Sequence, residues 1–151
     1  MAEANGGEVL NALLQSAYDS VDGFRQSASL ARNPEFQSLF RERAEEREQL
    51  AEKIAAEVRA FGVAPANLGT LAGEAHQLFT YARNAVARGS DKGLVEELVR
   101  REDLVTQRFK AVADDGLAPE PARKIAADAL TTLAPQRDEL EILSQQFHPP
   151  S

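Results

Sequence analysis

Residues 33–62 carry the clearest helix signals in the chain and read NPEFQSLFRERAEEREQLAEKIAAEVRAFG. Asn33 is a preferred N-cap residue, Pro34 suits the first helical position, and Glu35 places an acid where the helix dipole favours it. Gly62 tolerates the left-handed backbone that commonly ends a helix. Between these ends, apolar residues with helical spacing predict an amphipathic helix over 34–61. They are Phe36, Phe40, Leu50, Ile54, Val58 and Phe61.

The same periodicity extends in both directions from this helix, and no stretch alternates as a half-buried strand would. Further helices are predicted over residues 8–31, 68–88, 91–114 and 120–147. Each has one apolar face and is stable only when that face is buried against another helix. The prediction is an all-α, ferritin-like four-helix bundle made of two αα-hairpins, in which 68–88 is an additional crossover helix.

Length and composition limit the classes of protein that fit. The 151 residues are 43% hydrophobic and 27% charged, which is enough apolar material for one core. We expect the bundle domain to span 8–147, between flexible ends at 1–7 and 148–151. The absence of cysteine excludes a disulfide scaffold and a thiolate metal cluster.

Charge and hydropathy bear on partners and location. The formal net charge of −7 opposes sequence-independent binding to nucleic acid, whose phosphates require Lys and Arg. No apolar run approaches the roughly 20 residues that span a bilayer, so no membrane association is expected. The first eight residues lack the basic start and apolar segment of a secretory signal, which indicates a cytoplasmic protein.

Three short motifs lie on separate predicted helices: Asp22-Gly23-Phe24, residues 71–76 (LAGEAH) and Arg101-Glu102-Asp103. With these motifs the chain resembles a bacterial ferritin-like four-helix-bundle family that is known only as a domain of unknown function. The resemblance implies the bundle fold and, more loosely, a role in stress response. The motifs contain no catalytic signature, so the resemblance implies no activity.

A di-metal centre is the site that a ferritin-like fold suggests. Such centres use one inward Glu from each of two helices and a Glu-x-x-His from each of the other two. The chain has no Glu-x-x-His, and its two histidines, His76 and His148, fall on the predicted crossover and in the tail. We therefore expect neither metal nor cofactor. If a metal does bind, the candidate ligands are Asp22, Glu46, His76 and Glu102.

Polar side chains interrupt or flank the apolar faces near the midpoints of three predicted helices. They are Arg43 and Arg47 on the second, Glu102 on the fourth, and Gln136 and Arg137 on the fifth. Because helix midpoints share a layer in an up-and-down bundle, these residues predict an interior polar layer in place of a metal site. We expect Arg47 to pair with Glu102, since a guanidinium fork matches a carboxylate. The alternative is that the arginines extend to the bundle edge and Glu102 meets solvent.

No nucleophile-elbow pattern or other catalytic constellation is present. The prediction is therefore a non-catalytic cytoplasmic protein with a structural or protein-interaction role and an unknown protein partner. One alternative is a degenerate di-iron or di-manganese carboxylate protein that acts in oxidoreduction or metal storage. The other is a self-associating module, a homodimer formed through exposed sides of the third and fifth predicted helices.

Overall fold

The computed structural model describes residues 2–66 and 91–147, with side chains from residue 6 onward. Within these ranges the chain forms four α-helices and no strand, so the all-α prediction is confirmed. The helices are α1 (Ala2–Leu30), α2 (Pro34–Ala60), α3 (Lys92–Ala113) and α4 (Glu120–Gln145). The predicted crossover helix over 68–88 and the tail 148–151 lie outside the described residues.

Both ends of α2 form at the signals seen in the sequence. Asn33 Oδ1 accepts a hydrogen bond from the backbone N–H of Glu35 at 2.8 Å, and Pro34 is the first helical residue. At the other end, Gly62 has a φ of 78°, which side chains with a Cβ rarely adopt. The helix accordingly ends at Ala60, next to the predicted end at 61.

The N-terminus differs from the prediction, because α1 begins at Ala2 instead of residue 8. Gly6 packs so closely that an added Cβ would lie 2.6 Å from the Phe61 ring and 2.9 Å from Pro119 Cγ. A Cβ on Gly7 would lie 2.5 Å from Val63 Cγ2. Paired glycines have low helix propensity, so the sequence predicts that the helix begins after them. In the structure, their close packing against residues 61, 63 and 119 accompanies a helix that continues through them.

The helices form two hairpins. α1 and α2 are joined by residues 31–33, and α3 and α4 by residues 114–119. Between the hairpins, α1 runs antiparallel to α3, since Ser20 contacts Glu102 while Ser16, one turn earlier, contacts Arg108. The first and third helices therefore form one side of the bundle.

The other side of the bundle is formed by α2 and α4, which are also antiparallel. Arg43 pairs with Glu139, and Glu46 accepts a hydrogen bond from Gln136. It follows that α2 and α3 run in the same direction, and they lie diagonally opposite each other without close backbone approach. The connection from α2 to α3 therefore joins opposite ends of the bundle.

Asp91 ties the start of α3 to the connection between α1 and α2. Its two carboxylate oxygens accept hydrogen bonds from the backbone N–H groups of Arg32 and Asn33, each at 2.9 Å. Asp91 occupies the N-cap position of α3, yet its buried side chain does not cap that helix. The carboxylate instead satisfies two amides that precede the first turn of α2 and have no helical partners.

The core consists of two apolar clusters at opposite ends of the bundle. The first includes Leu10, Leu14, Ile54, Val58, Phe109, Ile125 and Leu133, and the second includes Phe24, Phe40, Leu94, Leu98 and Leu140. On each helix, the nearest buried residues of the two clusters are seven positions apart, which is about two turns. A polar layer fills this interval at the middle of the bundle.

Candidate functional site: a polar layer at the bundle centre

The centre of the layer is an ion pair between Arg47 on α2 and Glu102 on α3. Arg47 Nη2 lies 2.9 Å from Glu102 Oε1, and each side chain is only 2% exposed. The pair spans the diagonal of the bundle, so it joins the two helices whose backbones do not approach each other. The structure therefore places Glu102 in the interior and does not extend Arg47 to the bundle edge.

Ser20 on α1 completes this central group. Its Oγ donates to Glu102 Oε2 at 2.8 Å and accepts from Arg47 Nε at 3.1 Å. Arg47 Nε and Nη2 both donate to Oε1, at 3.2 and 2.9 Å, because the hydroxyl occupies the second carboxylate oxygen. The geometry thus differs from a side-by-side fork, and both oxygens of Glu102 have partners.

An aromatic ring adds a further contact to the Arg47 cation. The Cζ atom of Arg47 lies 5.6 Å from the centroid of the Phe24 ring, within the range of a cation–π interaction. A buried ion pair is tolerated only when nearly all of its polar atoms are satisfied. The hydroxyl, the carboxylate and the ring together meet most of that requirement.

Arg43 and Gln136 do not join the central group. Arg43 lies 3.4 Å from Glu46 and 2.9 Å from Glu139, while Gln136 Nε2 donates to Glu46 at 2.7 Å. These residues link α2 to α4 on one side of the bundle. The structure therefore brings both predicted residues to mid-height but gives them acidic partners other than Glu102.

Arg137 lies at the edge between α3 and α4, where its side chain is 22% exposed. It pairs with Asp103 at 3.1 Å, and it also contacts Asp138 and Glu141. Burial by itself lowers the pKa of Arg137, but hydrogen bonds to Glu141 and Asp138 and the charges of Glu141 and Asp103 raise it on balance. Arg137 is thus held charged away from the central pair.

Two members of the layer, Ser20 and Arg101, are not among the residues predicted from the sequence. Ser20 is small and lies beside the apolar stripe of α1, where no helical pattern distinguishes it from a surface serine. Arg101 is 3% exposed and pairs with Asp19 at 2.8 Å, between α3 and α1. The sequence signal for Arg101 is its position next to Glu102. Adjacent charged residues of a helix are both buried only when two sides of that helix are covered.

The four candidate metal ligands do not form a cluster in the described part of the chain. Asp22 accepts a hydrogen bond from Gln26, Glu46 contacts Arg43 and Gln136, and His76 lies outside the described residues. In residues 2–66 and 91–147 there is no group of three or more acidic or histidine side chains that could hold a metal. A carboxylate shared between a guanidinium and a hydroxyl does not fit a di-metal centre, which needs several acids.

None of the four described helices is long and apolar enough to cross a membrane. The family model for the Domain of unknown function (DUF2383) matches residues 6–115, which is 110 of the 151 residues. The chain belongs to the DUF2383 family.

The DUF2383 match includes α1 from residue 6 onward and the whole of α2 and α3, and therefore the whole central group, but not α4. No curated protein matches the chain, and no solved structure matches it.

Proposed function

We propose that this DUF2383 protein is a non-catalytic, ferritin-like helical bundle of the cytoplasm that acts as a structural or protein-interaction module. Two antiparallel hairpins joined by one long connection are the arrangement that defines ferritin-like bundles. The observation that carries the proposal is that both oxygens of Glu102, the central carboxylate, already have partners.

The balance of charge at the bundle centre supports this proposal. A ferritin-like metalloprotein surrounds its cations with several carboxylates, whereas here one carboxylate faces one guanidinium. Arg47 is permanently charged, so it supplies the positive charge that a metal would otherwise provide. A metal could reach Glu102 only after displacing Arg47 and leaving that cation buried without its counter-charge, which costs several kcal/mol.

Metal analysis tests the proposal. The protein would be purified from cells supplied with iron and manganese, and its metal content compared with that of the Glu102→Gln and Glu48→Gln variants. Glu48→Gln is the matched control because Glu48 is a half-exposed partner of Arg25. We expect metal far below one ion per chain in all three proteins, and a Tm that added iron, manganese or chelator does not change.

Near-stoichiometric metal that is lost in Glu102→Gln and kept in Glu48→Gln would replace this proposal with the di-iron or di-manganese alternative.

A role in stress response, implied by the family resemblance, belongs to the same proposal. Deleting the gene should lower the survival of cells under stress and leave their unstressed growth unchanged. If the deletion strain survives stress as well as its parent, the proposed role in stress response is wrong.

A further inference from the structure

A groove runs between α2 and α4, the two helices on the loosely packed side of the bundle. At one end the helices are linked by Arg43–Glu139 and Glu46–Gln136. Beyond these links the groove contains two adjoining cavities of about 410 and 520 Å³. Its apolar floor is formed by Leu50, Ile125, Ala129 and Leu133.

Opposite charges face each other across this groove. Because Arg43 is level with Glu139 and α2 and α4 are antiparallel, Lys53 is level with Asp128 and Glu57 is level with Lys124. All four residues line the groove. Neither facing pair of these described residues comes within ion-pair distance.

We propose that this groove face binds a second copy of the chain in a twofold-symmetric dimer, with Lys53 of each copy against Asp128 of the other. The twofold axis lies in the interface and runs parallel to the helices, so it places α2 of one copy over α4 of its partner. Rotation about this axis leaves the position of every residue along the bundle unchanged. Lys53 then meets Asp128, and Glu57 meets Lys124, so the symmetric contact contains four ion pairs. The face is complementary to itself, as an isologous interface requires.

The charges favour a second copy over other occupants. Positive and negative side chains alternate along the walls, so a polyanion or a uniformly charged ligand would meet repulsion at every second position. Self-association of a chain with a net charge of −7 requires local complementarity of this kind. The groove from residue 46 to residue 57 is only about 16 Å long, which predicts a small, reversible interface.

This face differs from the one expected from the sequence, which combined the third and fifth predicted helices. The inference deepens the proposed interaction function by naming its partner. Its test is independent of that proposal, because metal content concerns the bundle centre whereas dimerisation concerns the groove.

Two charge-reversal variants and their mixture test the inference by sedimentation velocity over a range of concentrations. Lys53→Glu places Glu against Asp128, and Asp128→Lys places Lys against Lys53, so each variant repels its own copy. We expect each to dimerise about tenfold or more weakly than the wild type. In a 1:1 mixture, the new Glu of the Lys53→Glu chain meets the new Lys of the Asp128→Lys chain. The unchanged Asp128 of the first chain meets the unchanged Lys53 of the second, so the heterodimer should regain wild-type affinity.

The matched controls are Arg41→Glu and Glu45→Lys, which reverse exposed charges of α2 outside the groove. They should dimerise as the wild type does, alone or mixed. Circular dichroism establishes that every variant is folded. A wild type that remains monomeric at the highest concentration overturns the inference, as does a mixture that stays as weak as its components; either result assigns the groove to another molecule or to pairing within one chain.

Discussion

Three consecutive residues of α3, Arg101-Glu102-Asp103, connect that helix to each of the other three. Their partners are, in order, Asp19 on α1, Arg47 on α2 and Arg137 on α4. Successive residues point about 100° apart around a helix, so adjacent side chains face different neighbours. Because rotation of α3 would break all three pairs together, this tripeptide fixes the orientation of the helix. It is also one of the motifs that carry the family resemblance.

Glu102→Gln should lower the free energy of unfolding by about 3–5 kcal/mol, the usual cost of removing one partner of a buried ion pair. The physical reason is that Arg47, which is 2% exposed, loses its counter-charge. Urea unfolding followed by circular dichroism measures the change. Arg47→Leu combined with Glu102→Leu should recover much of the loss, because both charges of the central pair are then removed together.

Glu48→Gln is the matched control for that experiment. Glu48 and Arg25 form an ion pair of 2.7 Å, with side chains that are 47% and 48% exposed. Exposed pairs contribute at most about 1 kcal/mol, so a small change is expected. If the losses from the two single leucine substitutions simply add in the double variant, Arg47 and Glu102 are not coupled and the interpretation fails.

At the scale of elements, glycine at the start of α1 permits a close helix contact. Gly6→Ala should destabilise the protein by about 1–2 kcal/mol, since the clash with Phe61 and Pro119 outweighs a gain in helix propensity of about 1 kcal/mol. Gly116→Ala is the control, because no atom lies within 4 Å of its added Cβ and its φ is not positive. Thermal unfolding should show a lower Tm for the first variant and an equal or higher Tm for the second. Equal Tm values would contradict the packing seen at Gly6.

The contact of Asp91 with the connection between α1 and α2 gives a second prediction at this scale. Asp91→Ala removes two charge-assisted hydrogen bonds and should cost about 2–3 kcal/mol of stability. Amide hydrogen exchange is the specific measurement, since the N–H groups of Arg32 and Asn33 should exchange faster. The amide of Glu35, which is bonded to Asn33 Oδ1, is an internal control. Unchanged exchange at Arg32 and Asn33 would remove the proposed role of Asp91.

At the scale of the whole molecule, α4 lies outside the family match yet supplies side chains to both core clusters. They include Ala122, Ile125, Ala126, Leu133 and Leu140. Removing residues 116–151 should therefore expose the apolar faces of α1 and α3 and abolish cooperative unfolding. Urea titration of the shortened chain measures this. A sigmoidal transition with a midpoint near that of the full chain would show that α1 to α3 form a self-sufficient core.

The extent of α2 and the apolar core positions could be predicted because they depend on local signals. Asn33 and Gly62 act through their own backbone conformations, and apolar spacing identifies the buried face of each helix. The placement of Arg137 and Ser20 could not be predicted in this way. Whether a residue at the margin of a stripe faces the centre or an edge depends on the rotation of its helix, which sequence spacing does not specify.

By itself, the sequence determined that the chain forms amphipathic helices, where α2 begins and ends, and that charged residues meet at mid-height. The helices and their ends depend on residues within a few turns of one another, and the shared height follows from where the charged residues lie along each helix. Only the tertiary structure decided between the predicted pairing of Arg47 with Glu102 and the alternative of arginines at the bundle edge, and placed Arg137 against Asp103. The reason is that partner choice depends on distances between helices that are far apart in the chain, and an error of one residue in rotation turns a side chain by about 100°.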